Sequence, residues 1–408
     1  FFLYGAAAAL IFPTAFFGEM PPTTALLLSL LTFAAGFIAR PIGGIIFGHF
    51  GDKIGRKKTL ISALMLMGIS STLIGLLPTY AMIGVAAPIL LTTLRFAQGL
   101  AIGGQWGGAM LLVTESAPSD QRGYYGAFAQ AGAPIGVILA NLALIITSAL
   151  VSEEFFNTWG WRIPFLASAV LILISMYIQL NLEDTDAFKA LTNNKDTQSN
   201  ENIQKSPVVV AIRKYPKRIF LAAGAFLSVQ VTFYILIAFM LAYGVTSANM
   251  ARDDMLAAVL IASAIMVPIQ FVFSSYSDRH GRKGIFMLGA VLTGIWAFAI
   301  FPLVDTGNFY LIVLAITGGL VFLAMMYGPQ AAFFTELFST EVRYSGATLG
   351  YQFGAIVGGA FAPTIAVKLW TEFDIIWVSA YIALASLLTL ISVMALTETY
   401  QSDLNNTD

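Results

Sequence analysis

The sequence predicts an all-α membrane protein of twelve transmembrane helices in two similar halves, a 6+6 pseudo-symmetric arrangement, and three observations lead there. Of the 408 residues, 58% are hydrophobic and only 11% charged, with a mean hydropathy of +0.80. A soluble domain carries about 25% charged residues, so this chain lacks the polar cover for a water-facing surface and must be solvated mostly by lipid. The apolar residues fall into twelve runs, most near or above the roughly 20 residues that cross a bilayer as a helix. Finally, Gly51-Asp52-Lys53-Ile54-Gly55-Arg56-Lys57 recurs as Ser277-Asp278-Arg279-His280-Gly281-Arg282-Lys283, 226 residues later.

Bounded by charged or Pro/Gly-marked breaks, the runs cover roughly 1–17, 24–50, 59–77, 86–114, 122–150, 162–181, 217–247, 253–275, 284–303, 308–337, 343–370 and 375–397. The first begins at Phe1-Phe2-Leu3-Tyr4 with no basic n-region or small-residue cleavage site, and reads as a truncated helix rather than a signal peptide. Several exceed 25 residues, which implies tilt or ends that project into water. The stretch from Glu183 to Pro216 is too polar to enter the bilayer. It predicts a partly disordered cytoplasmic linker, 183–216, with one amphipathic helix, between bundles at 1–182 and 217–408.

If the N-terminus is cytoplasmic, 16 of the 21 Lys and Arg residues lie in inside segments, so the positive-inside bias places both termini in the cytoplasm. A second echo supports the duplication: Thr114-Glu115 and Arg122 recur as Thr335-Glu336 and Arg343, 221 residues on. A cargo site is then expected between the halves, near mid-membrane.

Composition excludes other classes. Cysteine is absent and the histidines are His49 and His280, which removes disulfide and thiolate chemistry and disfavours a metal site. A net charge of −1 offers no basic field for nucleic acid. No Walker motif, nucleophile–base pair or cofactor fingerprint appears, so the chain reads as a non-enzyme without a cofactor.

The loop repeats have a physical logic. Glycines allow a tight turn, Asp52 can sit at the N-terminal end of the next helix or pair with an arginine, and the basic run holds the loop inside. A plain basic loop would explain the lysines but not the duplicated Asp-x-x-Gly-Arg-Lys, so Asp52, Gly55, Arg56, Glu115, Arg122, Asp278, Gly281 and Arg282 are assigned to a conformational latch.

These loops resemble the signature of the major facilitator superfamily, and Arg95-Phe96-Ala97-Gln98-Gly99-Leu100-Ala101-Ile102-Gly103-Gly104 resembles its fourth-helix motif. Arg40-Pro41-Ile42-Gly43-Gly44, Gly104-Gln105-Trp106-Gly107-Gly108-Ala109, Glu115-Ser116-Ala117-Pro118, Trp159-Gly160-Trp161-Arg162-Ile163-Pro164-Phe165 and Thr340-Glu341-Val342-Arg343-Tyr344-Ser345-Gly346-Ala347 are similar to the metabolite:proton symporters, carriers of shikimate, α-ketoglutarate, citrate and proline/betaine. The resemblance covers essentially the whole chain. It implies alternating access by two rocking bundles, coupling to the proton gradient, and a monomer in a bacterial inner membrane. Two departures stand out. Family members usually carry glutamate where this chain has Gln105, and an acid on the first helix just before Phe-Leu-Tyr-Gly, where this chain begins. Glutamine cannot titrate, and an engineered substitution, a relocated proton site and a packing residue all remain open for it.

No acid lies near mid-membrane in these spans, whereas Arg40 and Arg95 do. A charge there costs about 2.5–3.5 kcal/mol on insertion scales, so it faces a cavity or a partner, and unbalanced cations favour an anionic ligand. Arg95, Gln98, Ile102 and Gln105 share one helical face that is expected to line the cargo or proton path. The alternative has Arg95 bonding carbonyls of a neighbouring broken helix, and Arg40 bonding carbonyls freed by Pro41. Gln130, Asn141, Gln230, Tyr234, Tyr327, Gln330, Tyr351 and Gln352 are further lining candidates, although such residues more often bond between helices. The leading expectation is a proton-coupled importer of a small carboxylate held by Arg95 and Arg40. An exporter of small anionic toxins or antibiotics and an importer of a zwitterionic osmolyte are the alternatives.

Overall fold

The computed structural model describes residues 1–54, 56–181, 207–338 and 343–400, and all regular structure among them is helical. At Asp52, Arg56, Glu115 and Arg343 it describes the backbone alone. The membrane helices are numbered α1 to α12. α1 consists of Phe2–Leu10 and Phe12–Phe17, broken where Ile11 turns to φ −123° two residues ahead of Pro13, which cannot donate to the helix ladder. Next come α2 (Pro22–Ile54), α3 (Arg56–Leu76), α4 (Ala86–Ser116) and α5 (Arg122–Leu150). α6 is assembled from Gly160–Arg162, Ile163–Leu166 and Ser168–Asn181.

In the second half, α7 runs through Pro216–Tyr234, a π-helical turn Ile235–Phe239 and Met240–Thr246. α8 (Arg252–His280), α9 (Arg282–Val304) and α10 (Phe309–Glu336) follow. α11 joins Arg343–Ala355, a second π turn Ile356–Ala360 and Ala362–Glu372, and α12 is Ile375–Ala395. Nine of these are long and apolar enough to cross a membrane among the described residues, and α1, α3 and α6 complete the twelve. Residues 182–206, which include most of the expected linker at 183–216, lie outside the described residues; the remainder of the linker holds a short helix, Pro207–Lys214.

The sequence-based boundaries differ most at α8, which continues five residues past the expected end at 275. Its last turns are polar, yet Ser274, Ser277 and Asp278 are buried, so the helix persists under protein cover where composition suggested a loop.

Small residues let helices meet closely, as membrane packing requires. A Cβ on Gly99 would lie inside the Gly36 carbonyl of α2, and one on Gly103 inside the Arg40 carbonyl. In α11, a Cβ on Gly354 would meet the Ala223 carbonyl at 2.7 Å and one on Gly359 would meet the Phe37 ring at 2.6 Å. α2 packs on α11 and α5 on α8, which joins the first six helices to the last six.

Candidate functional site

A cavity of about 260 Å³ lies between the halves, with eight lining residues from each. Ile102 and Val229 in its wall sit near the middles of α4 and α7, so it is at mid-depth. Among the described lining residues, Arg40 is the charged one and no carboxylate is present. Gln105, Gln230, Tyr234 and Tyr327 supply neutral polar groups, and Phe1, Phe2, Phe226 and Phe233 supply apolar rings. The α7 part of the wall, up to Tyr234, abuts the π turn at Ile235, a distortion often found at functional sites.

Arg40 is 3% exposed. Its Nη2 donates to the Tyr234 hydroxyl at 3.4 Å, a long bond, while its Nε has no hydrogen-bond partner among the described residues. The guanidinium lies 4.1 Å from the Phe37 ring centre and 4.7 Å from that of Phe1, so cation–π attraction offsets part of its desolvation. The hydrogen bond to Tyr234 crosses to the other half, and among the described residues Arg40 does not meet the carbonyls that Pro41 was expected to free. Gln105 faces the cavity and leaves its Nε2 without a hydrogen-bond partner among the described residues.

Arg95 stands elsewhere, and this corrects its expected place on the path. It is fully buried outside the cavity wall, with Nη1 donating to Gln98 Oε1 at 2.9 Å and to the Phe1 carbonyl at 3.3 Å. The rings of Phe1, Tyr4 and Phe33 surround its guanidinium at 3.7, 4.4 and 4.5 Å. Gln98 in turn donates to Ser71 Oγ at 2.8 Å, so the pair ties α1, α2, α3 and α4 together. The expected shared face of α4 reaches the cavity at Ile102 and Gln105 and is covered at Arg95 and Gln98.

The weaker candidates divide the same way. Gln230, Tyr234, Tyr327 and Tyr351 line the cavity. Gln130 donates to the Tyr327 carbonyl at 3.1 Å and Asn141 to the Leu256 carbonyl at 3.1 Å, both bonds between halves. Gln330 and Gln352 are buried off the wall, their amide atoms without hydrogen-bond partners among the described residues.

The second loop repeat builds a bridge between halves. Gly281, at φ +98°, makes the tight turn between α8 and α9. Asp278 accepts from the backbone N–H groups of Gly123 and Tyr124, both at 2.8 Å, and pairs with Arg282 at 2.6 Å. It therefore caps α5, in the other half, rather than the next helix, and makes the arginine pairing that the loop logic also allowed. Arg282 also pairs with Glu336 at 3.1 Å, so two carboxylates neutralise it and it holds Asp278 toward α5. Arg122 is buried at the start of α5. The side chains of Asp52, Arg56 and Glu115, with Gly55, lie outside the described residues, so the first copy of the latch is not seen.

Glu398, just past α12, braces this turn from outside the membrane. Its carboxylate accepts from the N–H groups of Arg282 and Lys283, each at 3.0 Å, while Lys283 Nζ donates to the Leu396 carbonyl at 2.6 Å. Burial alone would raise the Glu398 carboxyl, but backbone N–H bonds from Lys283, Arg282, Tyr400 and Thr399 overcome it and hold the carboxyl below its ordinary 4.5. Folding thus favours the ionised form, and the stability it contributes is present above that ordinary value and lost as pH falls through the lowered one. Thermal unfolding followed from neutral pH to about pH 4 should show Glu398→Gln with a shallower acid loss than the parent. Equal pH slopes would remove this role.

The sequence pattern of the Major Facilitator Superfamily matches residues 1–349. The chain belongs to the major facilitator superfamily. The carrier is 39% identical over 412 residues to the inner membrane metabolite transport protein YhjE of Escherichia coli, covering 99% of this chain and 92% of that one. It is 36% identical over 385 residues to the shikimate transporter of Escherichia coli, covering 94% and 87%, and 32% identical over 391 residues to the proline/betaine transporter of Salmonella typhimurium, covering 94% and 77%. Its fold matches a crystal structure of the D-xylose-proton symporter with a TM-score of 0.74 at 16% identity, covering 99% of this chain and 97% of that one. The carrier is thus a multi-pass membrane transporter and not an enzyme, as its motifs implied.

Sequence reasoning missed the aromatic wall and Gly123. In helices apolar on every side, a Phe facing a cavity reads like one facing lipid. Gly123 leaves no room for a Cβ, which would fall 2.6 Å from Arg282 Nη1 and 2.8 Å from Asp278 Oδ1. Its only signal was a glycine directly after the repeated arginine.

Proposed function

We propose that the carrier takes up a small organic anion of the carboxylate class by alternating access, on a symporter framework whose proton step belongs to a glutamate at position 105 and is suspended by the glutamine this chain carries there. One observation carries this reading: a single buried guanidinium, Arg40, faces a cavity between the halves whose described lining holds no carboxylate. A carboxylate there would satisfy the free Nε and replace the long bond to Tyr234 by charge-assisted ones. The names of the shikimate and proline/betaine relatives, and the D-xylose-proton symporter fold, support cargo of this size and proton coupling. Name and basic-residue bias together support a bacterial inner membrane, with the loop-repeat end and both termini cytoplasmic.

The ring wall favours one second reading, a zwitterion whose quaternary ammonium meets aromatic faces while its carboxylate meets Arg40.

Glutamine at 105 has the shape of a protonated glutamate and cannot release a proton. Proteoliposomes holding the carrier should therefore exchange labelled carboxylate across the membrane without concentrating it under an imposed proton gradient. Gln105→Glu should concentrate it about tenfold per pH unit for one-to-one coupling. Equal accumulation by both forms would move the proton site away from 105, and exchange of cationic solutes alone would overturn the anion reading.

A further inference from the structure

Along their whole length α5 and α8 run antiparallel, holding each other by polar bonds at four levels. Asp278 takes the N–H groups of Gly123 and Tyr124 at the loop-repeat end; Gln270 donates to the Ala127 carbonyl at 3.4 Å, then Asn141 to the Leu256 carbonyl. At the far end Arg252 Nη2 donates to Ser148 Oγ at 2.8 Å, and Ser148 Oγ donates to Asp253 Oδ2 at 2.9 Å. Arg252 Nε closes the ring on Asp253 Oδ1 at 3.3 Å. The guanidinium also lies 4.0 Å from the buried Phe156 ring, and its Nη1 donates to Asn157 Oδ1 at 3.2 Å. Both residues belong to the short helix Glu153–Thr158 that leads from α5 to α6.

We propose that Arg252, oriented by Asp253, is the latch of a second gate, at the end opposite the loop repeats, and that opening the cavity to that side requires its release. The inference rests on alternating access and not on the cargo. A guanidinium suits the position because its planar fork reaches Ser148, Asn157 and Asp253 at once while its face covers Phe156. The two latches differ in wetness: the Arg252 and Asp253 side chains are 20% and 42% exposed, whereas those of Arg282 and Asp278 are 1% and 4% exposed. Water competes for the first and not for the second, so the Arg252 gate is the easier to open. The empty carrier accordingly rests with its cavity reachable from the Arg252 side more often than from the other.

The chain has no cysteine, so a single reporter thiol reads this directly. Gly132 lines the cavity, and a Cβ there meets no atom within 4 Å, which makes Gly132→Cys a mild reporter. A membrane-impermeant maleimide is added to each face of reconstituted vesicles without cargo. Removing Arg252's bonds by Arg252→Ala should raise labelling from the Arg252 face about tenfold, with a smaller rise for Arg252→Lys and Ser148→Ala. Asp278→Asn should raise it from the opposite face. Should Arg252→Ala fail to fold, Ser148→Ala and Arg252→Lys decide alone. Labelling unchanged from the parent in these variants, or a rise from the loop-repeat face, overturns the second latch. A normal labelling shift in a carrier that takes up no carboxylate would overturn the cargo reading and leave the latch standing.

Discussion

Asp278→Asn is expected to shift the carrier toward the form open at the loop-repeat end by about one to two orders of magnitude. Turnover should fall more than cargo affinity. The reason lies in what the carboxylate does: it accepts two N–H groups of the α5 N-terminus, at 2.8 Å each, and neutralises Arg282 at 2.6 Å. A negative charge at a helix N-terminus also meets the positive end of its dipole. Asparagine keeps one acceptor and turns an amide donor toward groups that are themselves donors, so at least one buried N–H loses its partner. Glu336 and Glu398 touch Arg282 from the same half, so Glu398→Gln should alter stability without this bias and serves as the control. Gly123→Ala offers an independent route, because its Cβ would press on Asp278, Arg282 and the Ser274 carbonyl and separate α5 from α8. The Gly132→Cys reporter labelled from the loop-repeat face, together with initial exchange rates, measures both variants. Parent-like labelling in both would mean that Asp278 holds no gate.

How much of this was legible in the sequence depended on which physical scale the signal lives on. Membrane crossing is a bulk property of about 20 consecutive residues, and the twelve runs match the helices to within a few residues except at polar ends such as that of α8. The duplicated Asp-x-x-Gly-Arg-Lys was equally plain, because a tight turn and a fixed charge each constrain residue identity. Its partner was not, since Asp278 bonds backbone N–H groups on α5, and backbone leaves no mark in sequence. Helical spacing placed Arg95, Gln98, Ile102 and Gln105 on one face, but the neighbours of that face change along its length. At Arg95 and Gln98 it is roofed by α1 and α3; from Ile102 onward it opens on the cavity, which it lines at Ile102 and Gln105. Spacing along one helix cannot register that change, and so the two arginines looked equivalent when one faces the cavity and the other is packed behind it.

That difference separates two variants. Arg40→Ala should weaken binding of a small carboxylate by about 30–100-fold, the loss of charge-assisted bonds in a desolvated site, while leaving the yield of folded carrier near the parent's. Arg40→Lys should retain part of the affinity, because an ammonium keeps the charge and loses the fork. Arg95→Ala should behave in the opposite way. It strips Gln98 Oε1 and the Phe1 carbonyl of their donor and empties a space among Phe1, Tyr4 and Phe33, which costs roughly 2–4 kcal/mol of stability. The folded fraction that survives should bind carboxylate within a few-fold of the parent. Thermal unfolding of the purified variants across a carboxylate titration reports both quantities, the unliganded midpoint giving stability and the ligand-dependent shift giving affinity by linkage. A parent-like shift in Arg40→Ala, beside an abolished shift and an unchanged unliganded midpoint in Arg95→Ala, would reverse the assignment and make Arg95 the anion contact.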